Sequence, residues 1–390
     1  MIGYVSGGAR VSSVGPQSVE ATDVRECRRG ARIRINGMGG LEIVDPGLDD
    51  FDLLRAIDPT FEVRAERLGH FSSPRFQKLR AAGSGVLRSD LESATDDILW
   101  AIVTDPASRP KKLGEVSLLD LNTELARRML VSCSLCGHRC HVNRLREEVG
   151  ICGLGTDVPV AEHFTHIGEE PAINPSYVLN LAGCGLRCRY CQQSSLLSPS
   201  GLTYAPLAPT LWDAIDLRYA RSISFAGGNP DESLFSILNF LGGAPDEMAL
   251  PLVWNTHGYV TAPTLRLLKQ IVDIYLPDMK YGCDACASRW SGTPNYVATV
   301  QSSIASITGA GIPTIVRVLV LPGHFDCCHL PALRFLSSLP RGSPVSVSIR
   351  AQYSPDWKIT PADGNMARRP TTSEIDEVRR CAGALGLHLV

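Results

Sequence analysis

Six short apolar runs recur along the C-terminal half of the chain: VLNLA at 178–182, SISFA at 222–226, PLVWN at 251–255, VDIYL at 272–276, TIVRVLV at 314–320 and VSVSIR at 345–350. These runs are rich in β-forming apolar residues, as expected of strands. Helical patterns lie between most of them, at 233–241 and 263–272 for example. Strands and helices in alternation make βα units and a parallel sheet. Six such units are too few for a closed eight-stranded barrel. The pattern therefore predicts either an open partial barrel or a doubly wound sheet, and in both the working residues follow the strand C-termini.

The rest of the chain reads differently. Residues 1 to about 40 are rich in Gly, Ser and Arg, with the run Arg25, Arg28, Arg29, Arg32, Arg34, which predicts a solvated, partly disordered arm. Ser89 and Glu92 have capping-box spacing, and Leu91, Ala94, Ile98, Leu99 and Ile102 follow at helical intervals up to Asp105-Pro106. The stretch 107–116 reads as a linker, and a helix is expected from about 118 to 130. The domain reading is an N-terminal extension over 1–115, a Cys-rich segment over 116–170 and the βα region over 171–390. A formal charge of −2 provides no basic surplus for a polyanion, so nucleic acid is not an expected partner. No apolar run approaches the roughly 18 residues of a membrane span, and the first residues lack signal-peptide order. A soluble, cytoplasmic protein without a membrane partner is expected.

Thirteen cysteines do not suit a disulfide scaffold in a chain long enough to build its own core. They are densest between 133 and 191, which points to metal or redox chemistry. Directly after the first apolar run, Cys184, Cys188 and Cys191 form C-x3-C-x2-C. Three thiolates at this spacing can hold three irons of a [4Fe–4S] cube and leave the fourth iron open to the amino and carboxylate groups of a small molecule. Zinc normally recruits four protein ligands, and this loop has no fourth Cys or His. A second set, Cys133, Cys136, Cys140 and Cys152, has the ligand count of a closed site, with His138 and His141 beside it. Zinc, an auxiliary iron–sulfur cluster and four packed thiols are all open for it.

The triple, with Tyr190 before its last Cys, resembles the signature of the radical S-adenosylmethionine (SAM) superfamily. The segments CSLCGHRCHVNR, Glu169-Glu170-Pro171, GCGLRCRYCQQ, VWNTHGY, YLPDMKYG, VRVLVLPG and AQYSP resemble the branch of pyruvate formate-lyase activating enzymes, over residues 118 to 390. The resemblance implies a partial (β/α)6 barrel in which a [4Fe–4S] cluster cleaves SAM reductively to a 5′-deoxyadenosyl radical that takes hydrogen from a substrate. It implies that Gly227, Gly228 and Asn229 receive the SAM amino group, although the family has an acidic residue where Asn229 stands. It further implies that Lys280 and Arg317 hold the SAM carboxylate, and that Asp278 and Thr256 line a small cation site. Tyr190 packs on the adenine or belongs to the core. Glu169-Glu170 is either a carboxylate pair at the mouth or a solvated acidic turn.

Cys283-x2-Cys286 reads as a redox pair, a ligand pair or an incidental one, since only two ligands are evident. Cys327-Cys328, Cys27 and Cys381 are assigned nothing, and His324 and His329 read as ordinary loop histidines. The leading functional reading is a radical SAM enzyme acting on a small-molecule substrate, with a flavodoxin or ferredoxin as reductant. The alternatives are an activase that acts on a glycine of a glycyl radical enzyme, and a zinc-stabilised scaffold. An N-terminal extension that caps the barrel favours the small molecule over the protein glycine.

Overall fold

The computed structural model describes residues 73–108, 116–197, 205–218 and 220–390, together with the backbone of five short strands between Gly3 and Ile43. The arginine-rich arm, most of the 107–116 linker and Cys27 lie outside the described side chains.

Among the described residues nine strands build the main sheet, two of them two-residue pieces (Gly3–Tyr4 and Ala205–Pro206) and seven longer: β1 (Pro159–His166), β2 (Ser176–Leu181), β3 (Ser222–Gly227), β4 (Leu252–Thr256), β5 (Ile274–Pro277), β6 (Thr314–Leu319) and β7 (Val345–Arg350). Strands β2 to β7 pair in chain order and all in parallel, each shifted one place along the sheet. That sequential order is the open partial barrel, not the doubly wound alternative, whose order reverses at a switch point. The six apolar runs therefore became the six parallel strands. Strand β1 is an addition that the sequence reading missed. It pairs antiparallel with β2 on one side and with the short strands Gly3–Tyr4 and Ala205–Pro206 on the other, and its burial is mixed.

The crossovers are α4 (Leu234–Gly242) after β3, α5 (Ala262–Ile271) after β4, α6 (Asp284–Ser291) and α7 (Tyr296–Gly309) after β5, α8 (Leu330–Ser337) after β6 and α9 (Thr372–Ala384) after β7. Their inward faces bury Leu234, Ile237, Leu238 and Leu241 on α4, and Leu265, Leu268 and Ile271 on α5. Three earlier helices, α1 (Arg75–Ala81), α2 (Asp96–Thr104) and α3 (Leu118–Arg128), pack on this layer and share one continuous core with it. At α3 the Ser117 hydroxyl accepts from Asp120 N–H at 3.1 Å while the Asp120 carboxylate accepts from Ser117 N–H at 2.9 Å. This reciprocal cap satisfies two otherwise orphaned donors.

The expected capping box at Ser89 does not form. Ser89 sits within a single turn, Arg88–Leu91, and its hydroxyl turns to Asp90. The chain breaks over 92–95 and restarts at Thr95, so α2 is shorter than its apolar stripe indicated. Leu99 and Ile102 are buried, whereas Ile98 remains exposed. Asp105 closes α2 as expected. Between Cys133 and Cys152 the only regular element is the single turn Arg144–Arg146, as the cysteine density predicted.

Candidate functional site

Each parallel strand delivers its C-terminal loop to the same end of the sheet. There Cys184, Cys188, Cys191 and Tyr190 after β2, Gly227, Gly228 and Asn229 after β3, Thr256 and His257 after β4, Asp278 and Lys280 after β5, Arg317 on β6, and Arg350 with Gln352 to Ser354 after β7 line one cavity of about 310 Å³. The three cysteines therefore share one cavity with Gly227, Gly228, Asn229, Lys280 and Arg317, which the resemblance assigned to SAM, with Asp278 and Thr256, assigned to a cation site, and with Tyr190. Nothing in their sequence spacing forces this; the sequential parallel order does.

The cysteine loop is fixed at its centre. Gly185 donates its N–H to the Glu232 carboxylate at 2.9 Å, and its carbonyl accepts from His138 Nε2 at 2.9 Å. Cys184 N–H bonds the Cys152 carbonyl at 3.1 Å, so the Cys-rich segment braces the loop from behind. Ser291 on α6 donates its hydroxyl to Cys188 Sγ at 3.0 Å. Gly228 crosses the same loop so closely that a Cβ there would lie 2.0 Å from the Gly183 carbonyl oxygen. Only glycine fits that crossing.

Burial drives the thiol pKa values up: Cys191 to about 11, Cys184 well above its usual range, and Cys188 also upward, though Lys280 and Ser291 oppose the rise there. Buried thiols of this kind become thiolates when a cation compensates them. Their sulfurs are not gathered within 4.8 Å of one another as those of a four-Cys group elsewhere are. A single zinc holds its sulfurs about 3.8 Å apart, the tetrahedral edge for a bond of about 2.3 Å. A cluster in which each iron takes its own thiolate spreads them more widely. Two buried thiols and one half-buried thiol, not drawn around a single point and facing a cavity, fit an iron–sulfur cluster better than one ion.

Asn229, the departure from the family's acidic residue, is held at both ends. Its Oδ1 accepts from His257 N–H at 3.0 Å and its Nδ2 donates to Glu232. Sequence reasoning passed over Glu232, yet this fully buried carboxylate joins Asn229, Gly185 and His257 Nε2, the last at 3.2 Å. Burial works to raise its pKa, but His257 and these hydrogen bonds prevail and hold it below the usual value. His257 Nδ1 accepts from Tyr259 N–H at 3.1 Å, which leaves Nε2 as the proton-bearing nitrogen that donates to Glu232. Asp231 takes the Trp254 indole N–H at 2.7 Å and the Thr256 hydroxyl. Acidic residues three and four positions beyond the Gly227-Gly228 pair were the available signal.

Asp278 and Lys280 form an ion pair at 2.6 Å on the cavity wall. Burial alone would lower the Lys280 pKa, but Asp278 raises it on balance, so the cation is secure. Arg317 already has anionic partners within the chain. Its Nε donates to Glu170 at 2.7 Å, and its guanidinium also meets Glu169, while Arg350 reaches Glu170 at 3.1 Å. The solvated acidic turn is thereby corrected: Glu169 and Glu170 are buried because two strand arginines compensate them. Tyr190 is buried, with its hydroxyl 2.7 Å from that of Tyr281 and its ring edge-on to Tyr353.

The Cys133, Cys136, Cys140 and Cys152 thiols do not line the cavity and are not drawn around one point. Cys140 Sγ lies over Gly150, whereas Cys136 Sγ faces Gly185. Among the described residues, the group of three or more ligand atoms within 4.8 Å of one another is Cys283, Cys286, Cys327 and Cys328. His324 and His329 are buried and hydrogen-bonded, to Trp290 Nε1 at 3.1 Å and Leu321 N–H at 3.0 Å. No described helix is long and apolar enough to cross a membrane.

No protein-family model matches the chain. An uncharacterized protein of Methanocaldococcus jannaschii is 32% identical over 284 residues, which cover 70% of this chain and 81% of that protein. Among solved structures, a domain of pyruvate-formate lyase-activating enzyme from Bacteroides vulgatus matches at TM-score 0.33 and 17% identity, covering 43% of this chain and 97% of its own. The Streptococcus suis protein SuiB bound to S-adenosylmethionine matches at TM-score 0.36 and 13% identity, covering 53% of this chain and 47% of its own.

Proposed function

Since the chain belongs to the same family as the uncharacterized M. jannaschii protein, we propose that its partial barrel and cysteine loop make it a radical SAM enzyme that abstracts hydrogen from a small-molecule substrate. The observation that carries this reading is the convergence of Cys184, Cys188 and Cys191 with Gly227, Gly228, Asp278, Lys280 and Arg317 on one cavity. Those three thiolates would hold a [4Fe–4S] cluster, which when bound would supply the electron for reductive cleavage of SAM.

The chain's part is to bind, orient and exclude water. The Gly227 and Gly228 backbone offers carbonyls to the SAM ammonium, and Lys280 offers the cation for its carboxylate. Arg317, already shared between Glu169 and Glu170, contributes chiefly by keeping that wall rigid. Burial of Tyr190, Cys184 and Cys188 keeps water from the reacting end.

Polar groups without a role toward SAM line the same cavity and supply recognition of a polar metabolite. Glu162 accepts from Asn180 Nδ2 at 2.8 Å, and Gln192 Nε2 donates to the Gln352 carbonyl at 3.0 Å. A cavity of this volume with several convergent polar groups suits a small molecule. A one-electron donor of the flavodoxin or ferredoxin class completes the proposal.

The test is anaerobic reconstitution with iron and sulfide, followed by dithionite and SAM. Release of 5′-deoxyadenosine is the expected result. No release from protein whose cluster is spectroscopically intact overturns the reading.

A further inference from the structure

Away from the cavity, four cysteines from two separate loops meet. Cys283 is the N-cap of α6 and Cys286 lies in its first turn. Cys327 and Cys328 belong to the turn Phe325–His329 that leads into α8. All four Sγ atoms lie within 4.8 Å of one another, with Cys286–Cys327 at 3.8 Å and Cys327–Cys328 at 3.7 Å. We propose that these four thiolates bind one zinc ion as a closed, structural site that staples the loop after β5 to the turn after β6.

The spacing carries the assignment. Four sulfurs around one ion with bonds of about 2.3 Å stand about 3.8 Å apart, the separation of Cys286 from Cys327 and close to that of Cys327 from Cys328, with all four within 4.8 Å. A cluster of several irons gives each thiolate its own metal and sets the sulfurs further apart, so one ion is the occupant. Four thiolates fill a tetrahedral shell and leave no open position, which is the structural class and not the catalytic one. The sequence pattern agrees: a C-x2-C pair on one element and a second Cys pair on another, 41 residues from Cys286 to Cys327.

The surroundings are those of a held site. Gly282 lies against the Cys328 backbone so tightly that a Cβ would come within 2.3 Å of its carbonyl oxygen. The two loops are thus already in contact where the metal would join them. Cys283 and Cys286 are half-buried, Cys328 is buried and Cys327 is exposed, which gives an ion an entry path. The β5 loop also carries Asp278 and Lys280, five and three residues before Cys283. The staple therefore anchors one wall of the cavity from outside. Zinc enters as the dication and the bound thiols release their protons; no electron is transferred.

Metal analysis and differential alkylation of the full chain, purified without oxygen, test this. Cys283→Ser/Cys286→Ser should carry one zinc fewer per chain than the wild type. Cys184→Ala/Cys188→Ala/Cys191→Ala should keep that zinc while losing its iron, which separates this site from the proposed cluster. If the serine variant fails to fold, alkylation of the wild type decides. Zinc should protect Cys283, Cys286, Cys327 and Cys328 together, and a chelator should expose all four. Cobalt in place of zinc should give a sulfur-to-metal charge-transfer band that zinc displaces. Exposed Cys327 reacting equally fast with and without zinc overturns the proposal. So does a Cys286–Cys327 disulfide in the chain as isolated, or iron in the place of zinc.

Discussion

Glu232 accepts the Gly185 backbone N–H at 2.9 Å and so ties the turn after β3 to the middle of the cysteine loop. Both oxygens of that carboxylate are committed, one to Gly185 and His257, the other to Asn229. Glu232→Gln keeps the shape but turns an amide donor toward a donor, either Asn229 Nδ2 or the Gly185 and His257 pair. An unsatisfied buried polar group costs about 1–3 kcal/mol. The variant should unfold at lower temperature and take up less iron on reconstitution. Iron per chain and the thermal midpoint measure this, and wild-type values for both would show that the link does not position the loop.

The two cysteine sets should respond differently to single substitutions. Cys188 lines the cavity and receives the Ser291 hydroxyl, so Cys188→Ala should bring release of 5′-deoxyadenosine down to background in a chain that still folds. Cys136 lies outside the cavity, and its segment pairs with Val260 and Tyr259 through the backbone. Cys136→Ala should chiefly lower the yield of folded protein and leave release per folded, iron-loaded chain near wild type. Full release from Cys188→Ala would remove that residue from the cluster ligands.

Lys280 stands 2.6 Å from Asp278 on the cavity wall and keeps its charge despite burial. Replacing it by Met removes the cation proposed to meet the SAM carboxylate. A charge-assisted contact of that kind contributes on the order of 1.4 kcal/mol or more, a factor of about ten in Kd. Equilibrium dialysis with SAM on reconstituted Lys280→Met should show that weakening. An unchanged Kd would assign the Asp278–Lys280 pair to the wall alone.

The parallel strands were legible because burial on both faces favours short runs dominated by apolar residues, as in β2, where every residue from Ser176 to Leu181 is buried. The cavity was legible for a related reason: once strands run parallel in sequential order, their C-terminal loops must gather. What stayed hidden are contacts between side chains brought together from distant loops. Cys283 and Cys286 read as two ligands because their partners lie some forty residues away, on a turn whose direction the local pattern does not specify. Arg317 lacked a visible counter-ion for the same reason: Glu169 and Glu170 come from the other end of the sheet, nearly 150 residues earlier. Strand β1 was missed because its burial is irregular, so it lacks both the apolar run and the clean alternation.

The Arg317 cluster makes a prediction with a definite sign in pH. Burial alone would raise the Glu169 pKa, but Arg317 and then His166 and Arg350 hold it well below the usual carboxylate range. A depressed folded pKa stabilises the fold above the ordinary carboxylate value near 4.5 and loses that stabilisation only as pH falls through the lower folded value. Arg317→Met removes the largest favourable partner and leaves burial to raise the pKa. The sign then reverses: the folded state holds its proton more tightly than the unfolded chain, so the variant weakens as pH rises past 4.5. Breaking a buried pair costs about 3–5 kcal/mol when one charge stays uncompensated. The wild-type advantage should therefore be of that size at pH 7 and shrink as pH falls toward 4. Urea denaturation at several pH values reads both limbs. A gap between the two proteins that stays constant from pH 7 to 4 would mean that Arg317 stabilises by packing and not by compensating Glu169.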